Sequence, residues 1–236
     1  MFRKYFPNFF SLIFISAILL LSSCEDSDVK DPAYLNYFPL ETGFWIEYTC
    51  DSIVHLTSDD QLELDTAIIH YSFEVREEIG TTFIDGENQE AYLINRYRRE
   101  NDTLPWSFMH VWTAKINPYS AQRVEDNIRF IRLKFPPSTT TTWNGNAYNY
   151  FPEEEYSYDD LYVSGQYGGI HFDSTLIVLQ NDFISHINRI FKKEIYAANA
   201  GLVFKQLDSV NTLNTPNGTI ILNGSEYTMQ VKDYKH

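Results

Sequence analysis

Cysteine is almost missing from this chain: 236 residues contain two, Cys24 and Cys50. That scarcity removes paired zinc-ligand motifs and a disulfide framework. Basic residues are also few, 18 Lys and Arg against 32 Asp and Glu, for a net charge of −14. Nucleic-acid binding depends on Lys and Arg neutralising phosphates, so no nucleic-acid partner is expected. The histidines His55, His70, His110, His171, His186 and His236 are scattered, with no pair at metal-ligand spacing on a helix. P-loop, dinucleotide fingerprint and nucleophile elbow are absent, so no cofactor is expected. Long apolar runs are missing too, apart from Phe9 to Leu21. That run falls short of the roughly 20 residues a membrane-spanning helix needs.

The N-terminus has three zones. Arg3 and Lys4 are positive, the apolar run follows, and the segment ends Leu21-Ser22-Ser23-Cys24. A positive start, an apolar core of about 7–15 residues and small residues before a cut form a secretory signal. The last four residues resemble the bacterial lipobox, in which the cysteine thiol is alkylated by diacylglycerol before cleavage. The resemblance implies a signal peptide over 1–23, lipidation at Cys24 and a membrane partner reached through lipid. Each buried acyl methylene contributes about 0.8 kcal/mol, so two or three chains anchor stably. Residues 24–35 read as an acidic tether beginning Glu25-Asp26-Ser27-Asp28. It is either a solvated linker or, by resemblance, the surface-export signal of Bacteroidetes lipoproteins. The expected location is the outer membrane, on its periplasmic or surface face. With Arg3 and Lys4 removed, 16 basic residues face 32 acidic ones, a net charge of −16. Cys50 is then left without an intrachain partner, so packing must supply stability.

What is abundant is aromatic: 17 Tyr, 17 Phe and 4 Trp. With many Thr, Ile and Val this is a strand-forming composition. Alternation is repeated along the chain. Phe44, Ile46, Tyr48, Cys50 and Ser52 share one face, with Trp45, Glu47, Thr49 and Asp51 on the other. Ile69, Tyr71, Phe73 and Val75 alternate with His70, Ser72, Glu74 and Arg76. Segments 90–99, 106–116 and 128–135 repeat the period of two expected of half-buried strands. Turns are expected at Asp85-Gly86, Asn144-Gly145, Gly168-Gly169, Asn217-Gly218 and Asn223-Gly224. The last is expected to close a terminal hairpin between 219–222 and 227–231. Ile187, Ile190, Phe191 and Ile195 are spaced for one short helix over 184–196. The pattern predicts a single all-β domain over 36–236. About ten antiparallel strands favour a curved sheet, half-barrel or open barrel, with a β-sandwich as the alternative.

Two stretches resemble uncharacterised Bacteroidetes lipoproteins. The first is Tyr37-Phe38-Pro39-Leu40-Glu41-Thr42-Gly43-Phe44-Trp45-Ile46-Glu47-Tyr48. The second is Glu194-Ile195-Tyr196-Ala197 followed by Gly201-Leu202-Val203-Phe204-Lys205. The resemblance implies an exported antiparallel half-barrel and carries no activity with it.

The most distinctive candidate site is 147–169. Tyr148, Tyr150, Tyr156, Tyr158 and Tyr162 are interleaved there with Glu153-Glu154-Glu155 and Asp159-Asp160. Exposed rings stack on sugars and carboxylates accept hydroxyl hydrogen bonds or hold calcium. Alternatively the tyrosines point inward and the acids guard a strand edge. Asp followed by Ser or Thr recurs at Ser52, Thr66, Thr103, Ser174 and Ser209, resembling an O-glycosylation motif of exported Bacteroidetes proteins. The leading expectation is a non-enzymatic envelope lipoprotein binding glycan or a protein partner. A carrier of apolar cargo, which would need a continuous apolar cavity, comes second. A hydrolase with two carboxylates, one of raised pKa, comes third.

Overall fold

The computed structural model describes residues 33–57, 66–216 and 218–235. The expected signal peptide, Cys24 and most of the expected tether lie outside them. The described residues form one unit that begins at Ala33. A 3₁₀ turn over Ala33–Tyr37 leads into twelve strands: β1 (Trp45–Thr57), β2 (Thr66–Ile84), β3 (Glu90–Arg99), β4 (Ser107–Asn117), β5 (Ser120–Glu125) and β6 (Ile128–Lys134). They continue as β7 (Thr142–Asn144), β8 (Glu155–Tyr167), β9 (Ile170–Ile184), β10 (Asn188–Ala197), β11 (Gly201–Thr215) and β12 (Gly218–Lys235).

All twelve belong to one antiparallel sheet in the order β6-β5-β4-β3-β2-β1-β12-β11-β10-β9-β8-β7. The sheet curls into an open barrel with a seam between its first and last strands. The seam carries no continuous ladder. Ile131 N donates to Gly145 O at 3.0 Å, Trp143 Nε1 to Ile131 O at 3.0 Å, and Asn149 Nδ2 to Arg129 O at 2.8 Å. The Tyr158 hydroxyl accepts from Lys134 N at 3.1 Å and donates to Lys134 O at 2.5 Å. Backbone and side-chain groups from 143–158 thus bond the exposed edge of β6, which would otherwise template pairing with another chain.

The alternation read from the sequence holds through β1 and the later part of β2, whereas Ile69 and Tyr71 near the start of β2 are exposed. Ile46, Tyr48, Cys50 and Val75 are all buried. Pairing of Tyr48 with Val75 on one side and Val231 on the other puts all three on the lumenal face. Eight strands already leave room for a full layer of side chains, so twelve enclose a lumen that aliphatic residues alone cannot fill. At one end the chain entering β1 fills it. Tyr37, Phe38 and Phe44 are buried there, Tyr34 stacks on Phe135 at 5.4 Å, and the Tyr37 hydroxyl meets Ser174 Oγ at 2.6 Å. This plug includes Tyr34 and Leu35, so the folded unit takes in the last residues assigned to the tether.

Two expectations from the sequence are corrected. Residues 184–196 contain no helix; most of them form β10, paired on both sides to β9 and β11. The spacing of Ile187, Ile190, Phe191 and Ile195 fits a helix, but β-branched isoleucines between two long strands gain more from ladder pairing. Asn223-Gly224 is not a turn either. β12 runs unbroken through it, and β11 and β12 meet where Thr215 pairs with Gly218. Gly224 has φ +124°, and a Cβ there would lie 2.2 Å from Ser209 O. The glycine marks a close backbone approach inside the sheet, which a turn signal mimics.

Candidate functional site

Beyond the plug, the lumen becomes charged. Arg96 Nε lies 2.9 Å from Glu77 Oε1, and Glu77 also bonds Arg123. Arg123 Nε is 3.6 Å from Glu125, and Arg132 Nη2 is 2.5 Å from the same carboxylate. Arg132 Nη1 then reaches Glu194 at 3.4 Å, and Lys205 Nζ meets Glu194 at 3.0 Å. Seven side chains of alternating charge therefore cross the barrel from β3 to β11. The Arg132–Glu194 pair spans the lumen, because β6 and β10 are not sheet neighbours. Arg96 and Arg123 flank the Trp112 ring at 3.6 and 4.5 Å from its centroid. Tyr196 donates its hydroxyl to Glu194 Oε2 at 2.6 Å.

Two of the acids, Glu125 and Glu194, are held in the ionised form. Burial on its own would raise the Glu125 carboxyl, but Arg132, Lys205 and Arg123 outweigh it and hold it well below the usual range. Burial opposes ionisation of Glu194 too, and Arg132, Lys205 and the Tyr196 hydroxyl reverse the sign. A buried charge is tolerated only when paired and hydrogen-bonded, which this lattice provides.

A chamber of about 200 Å³ lies against these groups. It shares Glu125, Arg132 and Lys205 with a wider vestibule of about 560 Å³ at the mouth opposite the plug. Phe130, Phe151 and Tyr156 supply aromatic surface to the vestibule, with Glu154, Gln180 and Lys192 among its polar groups. Phe130 and Phe151 are stacked 6.3 Å apart, and Lys192 Nζ is fixed on Glu154 Oε1 at 2.6 Å. Gln180 is 5% exposed, and its Nε2 has no hydrogen-bond partner among the described residues. An amide donor buried without a partner is costly unless something else binds it.

The structure divides the five tyrosines of the candidate segment. Tyr156 and Tyr158 point inward and are buried, whereas Tyr148, Tyr150 and Tyr162 are exposed. Tyr148 lies over Arg129, Tyr150 packs on Phe151, and Tyr162 sits beside Tyr37 near the plug. Only Tyr156 of the five lines the vestibule. Phe151 belongs to the candidate segment, but sequence reasoning missed Phe130, Gln180 and Lys192, which come from β6, β9 and β10. Of the motif threonines and serines, Thr103 and Ser209 are exposed, and Ser52 and Ser174 are half-buried. Thr66 begins β2, and its side chain lies outside the described part.

A second cluster sits toward the far ends of the long strands. His55 Nε2 is 3.0 Å from Glu226 Oε2, and Arg189 Nη2 lies 2.7 Å from Glu226 and 3.5 Å from Asp208. Of these four, Arg189 lines a neighbouring hollow with Ile184, His186 and Thr212. Among the described residues, no group of three or more His, Cys, Asp or Glu is arranged to hold a metal ion.

No protein-family model matches this chain, and no curated protein matches it in sequence. The functional reading therefore rests on the geometry of the mouth.

Proposed function

We propose that this chain is a cell-envelope lipoprotein, held at the outer membrane through lipid on Cys24, whose barrel is a non-catalytic module that binds a glycan at its open mouth. The observation that carries the binding half is the vestibule itself. It is concave and of ligand size, about 560 Å³, with stacked Phe130 and Phe151 beside the unpartnered donor of Gln180. Pockets of roughly 300–1,000 Å³ that combine aromatic walls with a few placed polar groups suit small ligands. Sugar rings present C–H faces to aromatics and hydroxyls to amides and carboxylates, which is the mixture found here. The charged layer across the lumen works against an apolar cargo. Hydrolysis by two carboxylates asks for one acid with a raised pKa. Glu125 and Glu194, two of the acids at the chamber, are both shifted the other way.

Calorimetric titration against a panel of oligosaccharides tests the binding half. Phe151→Ala should weaken binding about tenfold or more, the loss expected when a stacking ring worth about 1–3 kcal/mol is removed. A panel with no binder, or a variant that binds like the parent, rejects the reading. The anchor is tested separately by metabolic labelling with palmitate. Cys24→Ser should lose the label and leave the membrane fraction.

A further inference from the structure

Each carboxylate of the lumenal chain already faces two cations: Glu77 meets Arg96 and Arg123, Glu125 meets Arg123 and Arg132, and Glu194 meets Arg132 and Lys205. Cations stand at both ends, four of them against three acids, inside a protein whose net charge is −14. The acceptors are therefore committed, whereas donors remain in surplus. Arg123 Nε and Gln180 Nε2 make no hydrogen bond among the described residues. Lys205 carries three N–H groups and has Glu194 as its one ion partner among the described residues. Arg123 faces the chamber, Gln180 faces the vestibule, and Lys205 lines both. A lattice short of acceptors, in a confined and partly desolvated space, selects a ligand that brings an anionic oxygen.

We infer that the glycan bound at this mouth is acidic, and that its carboxylate or sulfate is received by Lys205 and Gln180 while a neighbouring sugar ring lies on Phe130 and Phe151. The inference rests on the glycan reading and specifies its ligand class. A carboxylate and a sulfate ester present the same oxyanion chemistry, and Lys205 with Gln180 offers both a charge and a neutral amide donor. Of the three acids at the vestibule, Glu154 is held by Lys192 and Glu125 by Arg132, while Glu153 is exposed to solvent.

Three tetrasaccharides of one backbone test it by calorimetry. One alternates glucuronate with N-acetylglucosamine, the second is its carboxyl-reduced neutral form, and the third is the neutral form bearing one sulfate ester. The acidic forms are expected to bind at least about tenfold more tightly than the neutral one, the worth of a charged hydrogen bond. Which acidic form leads identifies the group. Equal affinity for all three overturns the acid preference and leaves the glycan reading standing, whereas no binding by any overturns both. Lys205→Met should reduce the acidic-to-neutral ratio about tenfold. Gln180→Leu serves as the second variant, because its Nε2 has no bond to lose in the free protein. A ratio unchanged in both variants overturns the placement.

Discussion

The two ends of the lumen make an instructive pair. At the closed end, inward positions hold Leu133, Leu176 and Val203, none of them measurably exposed, sealed by Tyr37, Phe38 and Phe44. Further along the lumen, inward positions of β6, β10 and β11 hold Arg132, Glu194 and Lys205. Both layers are buried, and in β6 a register shift at Arg132 lets consecutive residues serve both. They differ in what satisfies them. The apolar layer needs only shape, and each fully buried side chain contributes about 1.5–3 kcal/mol through area removed from water. The charged layer needs a complete set of partners, and it is left with donors to spare. One end is finished as a core, and the other remains open to a ligand.

That contrast can be broken most forcefully at Glu194. Glu194→Ala leaves Arg132 and Lys205 without their shared acid, and a loss of about 3–5 kcal/mol is expected in urea unfolding. At the apolar end, Leu176→Ala should cost about 2–5 kcal/mol with no change in ligand affinity, because the cavity it opens is remote from the mouth. Acidity separates the ends further. Glu125 and Glu194 have folded pKa values below their unfolded ones, so their contribution is fully present above about pH 4.5 and is lost as pH falls through the folded values. Stability should therefore be level between pH 7 and 5 and fall below, with a shallower fall in Glu125→Gln. A fall of equal steepness in that variant would count against the ionised chain. The smallest effect is expected at the seam. Tyr158→Phe removes the hydroxyl that both accepts from and donates to Lys134, for a loss of about 1 kcal/mol.

Much of the fold was legible in the sequence, because a period of two survives any detail of pairing. Ile46, Tyr48, Cys50 and Val75 fall where alternation puts them. Burial also pushes the Cys50 thiol up to about 11, as befits a small apolar residue rather than a nucleophile. Local turn chemistry was a poorer guide. Gly224 has the positive φ a turn needs, but it uses it to let β12 approach Ser209. The helical spacing at 187–195 was likewise overridden by pairing on both sides. The two stretches that carry the family resemblance meet in space: Tyr48 donates its hydroxyl to Leu202 O at 3.0 Å, and Glu194 pairs with Lys205 across the β10–β11 ladder. The site was the least legible part. Phe130, Phe151, Gln180 and Lys192 are brought together by curvature, and no window of sequence contains more than two of them. The tyrosine-rich segment pointed to the right neighbourhood, since Phe151 and Glu154 belong to it, but alternation sends Tyr156 and Tyr158 inward.

The most direct test of the central claim is side-chain NMR of the protein titrated with the glucuronate tetrasaccharide. The account predicts that the Gln180 side-chain amide and the rings of Phe130 and Phe151 shift with ligand, while Tyr37 and Phe38 at the closed end stay still. Shifts confined to the plug or to the outer face of the sheet would contradict it.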